Sequence, residues 1–529
     1  MHFNLADLFE SVVDSVPDRL ALVCGDRRLT YAQLDERANR LAHHLLWVGV
    51  APGDHVGVLL YNGTEYIECM LAAFKIRAVP VNINYRYVAG ELRSLFRDSD
   101  LVGLVHQKAL SSRVTEVSGT SRLRHLIFVD DHSDAQPPPG AVEFESVLAQ
   151  GSPGRGFGGR TGDDRHIIYT GGTTGAPRGV MWRHEDLFFS GMAGGNPAGE
   201  PAQRPEDVAP RAAAAGVLVT FPIPPLMHGA AQLGSFINFF MGGTVVLIPH
   251  FDPVEVWRLV ESERVNTISL VGDAMARPLA EALAGGLQVD ASTLFVISSA
   301  GAIFSTAVRE QLQATLPNVL LLDNFGASET GFQGRATPDS SPEAGLKFAM
   351  NPHTRVLDER LQPLPPGSRV VGRVALGGRV PLGYYNDPGK TQEVFAEVNG
   401  TRWVMPGDMG VMNADGTVTV LGRGSVCINS GGEKIFTEEV EAVLKSHPAV
   451  FDALVVGVPD ERWGESVAAI VAARPASKAT LEELRSHCEG RIAGYKVPRL
   501  LVEVPEVVRF PSGKPDYGWA RAVTVGRTE

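Results

Sequence analysis

The segment Tyr169–Gly179 combines residue types that can bind a polyphosphate. Its glycines let backbone N–H groups turn toward one anion, its hydroxyls add donors, and Arg178 adds a positive charge. The Walker A pattern G-x-x-x-x-G-K-[ST] does not fit it. A plain glycine turn is the alternative, but such a turn needs no pair of threonines. We therefore favour a phosphate loop that includes Thr170, Gly171, Gly172, Thr173, Thr174 and Gly175.

A carboxylate follows a second apolar run. The residues Phe325-Gly-Ala-Ser-Glu-Thr-Gly331 come after Val319–Leu322, so Glu329 should lie just past a strand end, where open α/β sheets bind ligands. A carboxylate beside hydroxyls suits Mg²⁺, which takes one or two protein oxygens together with substrate phosphates. A solvated loop glutamate explains the same residue equally well.

Three later residues extend the candidate site. Asp408 lies in a Pro-Gly-Asp turn and could accept two ribose hydroxyls, although a turn-stabilising aspartate is the commoner reason for such a residue. Arg423 could bind a phosphate or pair with a surface acid. Lys514 lies in Phe-Pro-Ser-Gly-Lys-Pro, which is too short of apolar residues to be core, and a solvated lysine is the alternative.

The elements that would position these residues alternate between short apolar runs and amphipathic helices, which predicts a mostly parallel sheet. Thr30 should cap a helix, with Gln33 completing the capping box. The predicted strands are 19–23, 55–60, 79–83, 102–105, 217–221, 244–248, 268–271 and 294–298, and the predicted helices include 65–76, 91–96, 229–241, 254–264 and 275–284. The pattern therefore predicts an α/β protein with two α/β subdomains.

Beyond about residue 352, strands broken by Gly and Pro indicate a small β-rich lobe. After Gly422 the chain reads as a separate α+β unit, in which Thr437 caps a helix and a second helix covers Leu481–Ile492. We place a boundary near Arg423–Ser425, which gives a large domain over 1–423 and a mobile one over 424–529.

Composition excludes several classes of function. The 529 residues exceed one ordinary hydrophobic core, and 44% hydrophobic residues without a bilayer-length apolar run fit a globular enzyme. The net charge of −12 repels the phosphate backbone of nucleic acids, which argues against general nucleic-acid binding. Four scattered cysteines and a start without a signal peptide make the cytoplasm the expected location.

In this order, from about residue 5 to 520, these segments resemble the adenylate-forming (ANL) superfamily of acyl-CoA synthetases, aryl-CoA ligases, luciferases and peptide-synthetase adenylation domains. The nearest likeness is to actinobacterial acyl-CoA synthetases for steroid side-chain acids, with ligases for diterpenoid acids, including the platensimycin type, as a second group. The segments that carry it are 175–186, 222–229, 272–278 and 422–434.

The resemblance implies two half-reactions. A carboxylic acid first attacks the α-phosphate of MgATP to give an acyl-adenylate, and the thiol of coenzyme A then displaces AMP. Glu329 would hold Mg²⁺, Lys514 would bridge the substrate carboxylate and the α-phosphate, and the phosphate loop with Arg178 would hold the β- and γ-phosphates. The further nucleotide contacts implied are Gly301, Ala302, Asn324 and Phe325 at the adenine, Ser328 at a phosphate oxygen, Asp408 at the ribose, Arg423 at the ribose or a phosphate, and Gly326 elsewhere on the nucleotide.

On the CoA side, the resemblance makes His228 the gate between the acyl tunnel and the pantetheine channel, although a hydrogen-bonded core histidine is the alternative. The turn Gly431, Gly432, Glu433 and Lys434 would swing toward the site for the second half-reaction. Small and apolar residues after the gate would make room for a wide acyl group, with close helix packing as the alternative; they are Gly229, Gly234, Ser235 and Phe236, with Phe239 and Phe240 as further walls.

One position departs from the resemblance. Most relatives carry lysine where this chain has Arg178, and a planar guanidinium is wider than an ammonium. A second hypothesis is therefore a ligase that only forms the thioester, from an acyl-adenylate supplied by a partner enzyme. A third is a non-catalytic adenylate-binding protein. The resemblance also leaves a homodimer open.

Overall fold

The computed structural model describes residues 2–120, 122–170, 177–302, 304–338, 340, 346–430, 433–460, 463–475, 477–489, 491–510 and 514–524. Of residues 120, 423, 425, 429, 433, 434 and 464 it describes the backbone alone. The phosphate-loop residues Gly171–Gly175 and the predicted CoA-side glycines Gly431 and Gly432 therefore lie outside the described residues.

In chain order, the strands are β1 (Leu20–Cys24), β2 (Arg27–Thr30), β3 (His55–Leu59), β4 (Val79–Asn82), β5 (Leu101–Gln107), β6 (His125–Val129), β7 (Val142–Glu143), β8 (Arg165–Thr170), β9 (Arg178–Arg183), β10 (Val219–Pro222), β11 (Thr244–Leu247), β12 (Thr267–Leu270), β13 (Val296–Ala300), β14 (Leu320–Ala327), β15 (Gly331–Ala336), β16 (Leu346–Met350), β17 (Thr354–Leu357), β18 (Gly372–Gly377), β19 (Gly383–Tyr384), β20 (Phe395–Val398), β21 (Thr401–Val404), β22 (Asp408–Met412), β23 (Val418–Arg423), β24 (Ile428–Ser430), β25 (Glu433–Ile435), β26 (Val450–Asp460), β27 (Gly464–Ala473) and β28 (Leu500–Val504).

The α-helices are α1 (Leu5–Ser15), α2 (Tyr31–Trp47), α3 (Thr64–Lys75), α4 (Ala89–Asp98), α5 (Ser111–Val117), α6 (Phe144–Gln150), α7 (His184–Ser190), α8 (Val208–Ala214), α9 (Gly229–Phe240), α10 (Pro253–Ser262), α11 (Gly272–Ala284), α12 (Thr306–Thr315), α13 (Pro388–Val394), α14 (Thr437–Lys445), α15 (Leu481–Cys488) and α16 (Tyr517–Thr524). The capping box of Thr30 and Gln33 is confirmed at the start of α2.

The described strands form three sheets, of fifteen, eight and five strands. In the eight-stranded sheet, β3 to β8 are parallel, while β9 and β19 run antiparallel at one edge. In the fifteen-stranded sheet, β1 and β10 to β14 are parallel and continue into an antiparallel region from β15 onward. This confirms the predicted α/β class with two α/β subdomains and a β-rich lobe.

Successive residues of a strand point to opposite faces, and both α/β sheets are covered on both faces. Leu22 joins the core between the two sheets while Val23 joins the core under α10 to α12. In the other sheet, Val58 faces the shared core and Leu59 faces α4 and α5. Helices α1, α2, α3 and α9 lie in the shared core, and α3 is buried on all sides except at Glu65. A helix with no solvent face fits this central layer.

The chain leaves the fifteen-stranded sheet at Arg423 and enters the five-stranded sheet at Ile428. The five-stranded sheet packs on α14 and α15 on one face and on α16 on the other. A division into folding units at Arg423–Ser425 stays a prediction. Within the described residues, no helix is long and apolar enough to cross a bilayer.

Two details of the C-terminal part differ from the sequence predictions. Thr437 is the first residue of α14 and not its cap; Phe436 takes the N-cap position, and the Thr437 hydroxyl donates to Glu438 at 3.2 Å. The predicted helix over Leu481–Ile492 ends at Cys488, because Glu489 has an extended ψ of 132°. A capping residue type and an apolar stripe in the sequence therefore do not by themselves fix where a helix begins or ends.

Candidate functional site

The two strands that flank the phosphate loop bring its ends together. β8 and β9 pair antiparallel, and Thr170 lies opposite Arg178 in the ladder. The next position, Gly179, has no room for a side chain, since a Cβ would lie 2.7 Å from Ile167 and 2.8 Å from the Tyr169 ring. The backbone at the start of β9 is therefore fixed in place, and with it the direction in which Arg178 leaves the strand.

Arg178 has a carboxylate partner that the sequence did not predict. Its Nε donates to Asp387 Oδ2 at 2.8 Å, and both side chains are about one-third exposed. Asp387 is the N-cap of α13, and its other oxygen accepts from the backbone N–H of Lys390 at 2.9 Å. The hydrogen bond from Lys390 and that from Arg178 lower the pKa of Asp387. The Nε atom of Arg178 is thus held by Asp387, the N-cap residue of α13.

Glu329 lies in a tight turn between β14 and β15. Its Oε1 accepts a hydrogen bond from Tyr384 Oη at 2.8 Å. The turn is fixed on both sides, because Trp182 Nε1 donates to the Ser328 carbonyl at 2.9 Å and Gly331 has a φ of 64°. Gly326 is required at this point, because a Cβ there would overlap the carbonyl oxygen of Gly331. The predicted metal carboxylate therefore has a fixed direction at the carboxyl end of β14.

The donor set at Glu329 fits Mg²⁺ in the way the sequence suggests. One oxygen of the half-buried carboxylate accepts from Tyr384, which leaves the second oxygen and one further lone pair for a cation. In the described part of the chain, no three His, Cys, Asp or Glu side chains cluster as a metal site. An ion at Glu329 would thus take most of its ligands from phosphates and water, as Mg²⁺ usually does.

The residues predicted to surround the adenine meet at one edge of the fifteen-stranded sheet. Gly301 and Ala302 follow β13 directly, and Asn324 pairs with Ala300 on the neighbouring parallel strand. Gly301 has a φ of 80°, a conformation that favours glycine. The Phe325 ring is half-buried and contacts Phe348, with 5.2 Å between the ring centroids. Gly301, Ala302 and Asn324 are thus neighbours at the carboxyl ends of β13 and β14.

Asp408 and Arg423 are also neighbours. Asp408 begins β22, Arg423 ends β23, and the two residues lie directly opposite each other in the ladder. Gly407, with a φ of 113°, makes the turn that presents the half-buried Asp408. The structure thus brings together the two residues assigned to the ribose, of which the Arg423 side chain lies outside the described part.

The charge of Lys514 acts on His228. His228 is half-buried, and its Nε2 atom is buried and has no hydrogen-bond partner among the described residues. Burial, together with the positive charges of Lys514 and Arg86, lowers the pKa of His228 to about 4. His228 is therefore neutral at pH 7. The C-terminal lysine thus influences the predicted gate electrostatically.

On the predicted CoA side, Glu433 and Lys434 begin β25, opposite Ser430 and Asn429 of β24. Their side chains lie outside the described part, so a role in binding coenzyme A stays a prediction.

Two of the residues predicted to line the acyl pocket are packed inside α9 and its neighbours. Ser235 is fully buried and its hydroxyl donates to the Ala231 carbonyl at 2.8 Å, while Phe236 is fully buried against Phe74 and Phe239. Phe236 belongs to the core between the sheets, as do Phe239 and Phe240. Close helix packing, the alternative, accounts for both residues in this structure, and a role of theirs in an acyl pocket stays a prediction.

Another face of α9 remains available. A Cβ at Gly234 would meet no atom within 4 Å, whereas one at Gly229 would lie 3.1 Å from Ile168. Gly234 shares its helix face with Ala230, Leu233 and Ile237, at the spacing i, i+3, i+4, i+7, and all four are partly or fully exposed. Leu233 and Ile237 also pack against the core between the sheets, so the open part of this face lies at Ala230 and Gly234.

A cavity of about 530 Å³ lies at the carboxyl ends of β1, β3, β5 and β6, lined by residues such as Cys24, Thr64, Gln107 and His250. It contains none of the predicted site residues. Asn62 lines this cavity, and its side-chain oxygen accepts from the Leu226 N–H at 2.6 Å in the loop before His228.

Two family models match this chain. The model described as AMP-binding enzyme matches residues 9–385, and that described as AMP-binding enzyme C-terminal domain matches residues 439–514. Among curated proteins, a medium/long-chain-fatty-acid–CoA/3-oxocholest-4-en-26-oate–CoA ligase of Mycobacterium marinum is 49% identical, over 99% of this chain and 97% of that protein. A 3-oxocholest-4-en-26-oate–CoA ligase of Rhodococcus rhodochrous is 48% identical, over 99% of this chain and 96% of its own.

Solved structures share the fold at lower identity. The anthranilate CoA ligase AuaEII in complex with anthranoyl-AMP has a TM-score of 0.86 and 22% identity, over 99% of this chain and 98% of that one. ATP-bound MatB from Rhodopseudomonas palustris has a TM-score of 0.83 and 22% identity, over 99% of each chain.

Proposed function

Since this chain belongs to the AMP-binding enzyme family, the ANL superfamily, we propose that it is an acid–thiol ligase that joins a bulky hydrophobic carboxylic acid to coenzyme A through an acyl-adenylate. The observation that supports the proposal is the electrostatic effect of Lys514 on His228, because it links the C-terminal lysine to the predicted gate. On this proposal, Lys514 supplies a cation where the acyl and nucleotide sites of this family meet.

In the first half-reaction, a carboxylate oxygen of the acid attacks the α-phosphorus of ATP, and the bond to the bridging oxygen of pyrophosphate breaks. Lys514 supplies positive charge where the attacking carboxylate and the α-phosphate meet. A preorganised charge of this kind typically accelerates a reaction on the order of 10²–10³-fold. Mg²⁺, held by Glu329 and the phosphates, would neutralise charge on the leaving pyrophosphate.

In the second half-reaction, the CoA sulfur attacks the acyl carbonyl carbon, the bond to AMP breaks, and the thiol proton passes to water. His228 is suited to the approach of this thiol, because a neutral imidazole with an unpartnered Nε2 can accept a hydrogen bond from it. Lys514 is not needed in this step. A rotation near Ser425 would remove it and bring the segment from Gly431 to Lys434 to the site.

For the substrate, we infer a steroid-like or related polycyclic acid, with fatty acids as further substrates. The names of the two curated relatives give this chemistry for those proteins, at nearly half identity over almost the full chain. The open face of α9 at Gly234 supports it, since a missing side chain there leaves width for fused rings. Diterpenoid acids have similar width and are the second substrate class to test.

The test separates the two half-reactions. Acid with MgATP should release pyrophosphate, and synthetic acyl-adenylate with coenzyme A should give thioester. Thioester without pyrophosphate release would select the ligase that only forms the thioester and depends on a partner adenylating enzyme. Inactivity in both assays would select the non-catalytic adenylate-binding protein. A homodimer stays a separate prediction, checked by sedimentation.

A further inference from the structure

The segment Gly383–Asp387, which we call the strap, runs beside the strand that ends the phosphate loop. β19 pairs with β9, and on either side of it Leu382 N donates to the Met181 carbonyl at 2.7 Å and Tyr385 N to the Gly179 carbonyl at 2.8 Å. The strap is therefore attached by its backbone to the first residues after Arg178.

The first side chain that the strap gives to the site is Tyr384. Its phenol is 7% exposed, and its ring packs on Phe395 with 6.0 Å between the centroids. The hydroxyl donates to Glu329 Oε1 at 2.8 Å. Because the ring is held by packing, the hydroxyl has one position, and the carboxylate it contacts is held in one direction.

The second side chain is Asp387. Its two oxygens have separate partners, with Oδ1 accepting from the Lys390 N–H and Oδ2 from Arg178 Nε. The carboxylate cannot rotate toward another partner without uncapping α13. Because Nε is bound, the guanidinium plane has a fixed orientation, and the four N–H groups of its two terminal nitrogens point in set directions.

The middle of the strap is fixed from the opposite side. Tyr385 Oη donates to Asp100 Oδ2 at 2.9 Å, and Asn386 Nδ2 donates to the Asp98 carbonyl at 2.8 Å. Asn386 also has a φ of 52°, which turns the chain sharply between Tyr385 and Asp387. The strap is thus attached at both faces, and its two functional contacts cannot shift independently.

We propose that the strap is a positioning element of the adenylation half-reaction, in which Asp387 orients Arg178 and Tyr384 orients Glu329. One rigid segment would then fix the separation between the cation for the pyrophosphate and the carboxylate for Mg²⁺. This inference rests on the proposed function and gives a reason for arginine at position 178. A lysine has a single ammonium nitrogen, whereas a guanidinium can bind Asp387 through one nitrogen and a phosphate through the other two in one fixed geometry.

The experiment compares Asp387→Asn and Tyr384→Phe with Tyr495→Phe, a control tyrosine outside the strap that is 39% exposed. Asparagine retains the cap of α13. Pyrophosphate release from MgATP and 3-oxocholest-4-en-26-oic acid reports adenylation, and thioester formation from the synthetic adenylate reports the second half-reaction. Asp387→Asn should lower kcat/KM for MgATP about tenfold, and Tyr384→Phe should raise the Mg²⁺ concentration for half-maximal rate about tenfold. Thioester formation and the control should stay within about twofold of wild type.

Double variants show whether the strap acts through its partners. In an Arg178→Ala background, Asp387→Asn should have no further effect on adenylation, and in a Glu329→Gln background the same holds for Tyr384→Phe. Equal losses in both half-reactions, or additive losses in the double variants, would show a merely structural strap. An active wild type with unaffected variants also contradicts the inference. A wild type that releases no pyrophosphate contradicts the proposed first half-reaction, and the strap inference with it.

Discussion

The positive charge of Lys514 acts directly on His228 and, after burial, is the largest cause that lowers the pKa of this imidazole to about 4. The two residues belong to parts of the chain that different sheets organise. The effect of the Lys514 charge can therefore be measured as a change in the pKa of His228.

Replacing Lys514 should separate the half-reactions. In Lys514→Ala, adenylation should fall on the order of 10²–10³-fold because the charge at the reacting phosphate is lost. Thioester formation from synthetic acyl-adenylate should stay close to wild type. The pKa of His228 should also rise, as followed by NMR with His228→Gln as the assignment control. A similar loss in both half-reactions would contradict the assigned role.

Acid should destabilise the protein between about pH 6.5 and pH 4. Burial lowers the pKa of His166 to about 4 and that of His184 to about 3, from 6.5. In this window the unfolded chain binds protons that the folded chain does not, so stability rises with pH up to about 6.5 and is lost as pH falls toward 4. Protonated His166 would also carry an N–H at the buried Nδ1, which has no partner among the described residues.

Urea unfolding at several pH values measures this slope. His166→Phe removes one titrating group. The free energy of unfolding should then fall less between pH 6.5 and pH 4, by on the order of 3 kcal/mol. His132→Gln, at a fully solvent-facing histidine, serves as the control and should leave the slope unchanged. An unchanged slope in His166→Phe would show that other groups control acid unfolding.

Filling the space at Gly234 should exclude wide acids. Gly234→Leu places a branched side chain where nothing lies within 4 Å of the Cβ position. Activity with 3-oxocholest-4-en-26-oate should fall at least about tenfold, while activity with dodecanoate should change little, because a linear chain needs less width. An equal effect on both acids would place the acyl group elsewhere.

Lys75 should be essential for stability and not for chemistry. Its fully buried ammonium lies 2.5 Å from Glu10 and 2.6 Å from Asp35, in the helical layer between the sheets. Although burial opposes ionisation, Arg160 and Lys75 hold the pKa of Glu10 at about 2. Lys75→Met should cost about 3–5 kcal/mol of unfolding free energy, because it leaves buried carboxylates with fewer cations.

The control for Lys75→Met is Lys108→Met, which removes the lysine of a surface pair with Asp130. It should leave unfolding by urea nearly unchanged, since exposed ion pairs contribute little. A small effect of Lys75→Met would mean that Arg155 and Arg160 neutralise the same carboxylates without it.

The order of strands and helices could be predicted because apolar runs and amphipathic stripes are local signals, and the capping box at Thr30 is another. The end of α15 could not, since the turn at Glu489 depends on the surrounding chain. Glu329 and Lys514 could be proposed as site residues because their neighbours form recognisable motifs. The groups that surround them could not be predicted.

The partners of these residues come from pairing between distant strands. Asp387 reads locally as a cap before Pro388, and nothing near it signals Arg178. Tyr384 reads as an apolar strand residue, yet its hydroxyl holds Glu329. On α9, nearness in sequence to His228 suggested Ser235 and Phe236, but only the packing shows that these two face the core and Gly234 does not.

The division of α9 into a core face and an open face has a consequence for how such a catalyst diversifies. On the proposed function, exchanges at Ala230 and Gly234 would resize the space for the acid, while the aromatic cluster on the other side keeps the scaffold intact. Substrate specificity and folding would then depend on separate positions of one helix, so selection for a new acid could proceed there without destabilising the protein.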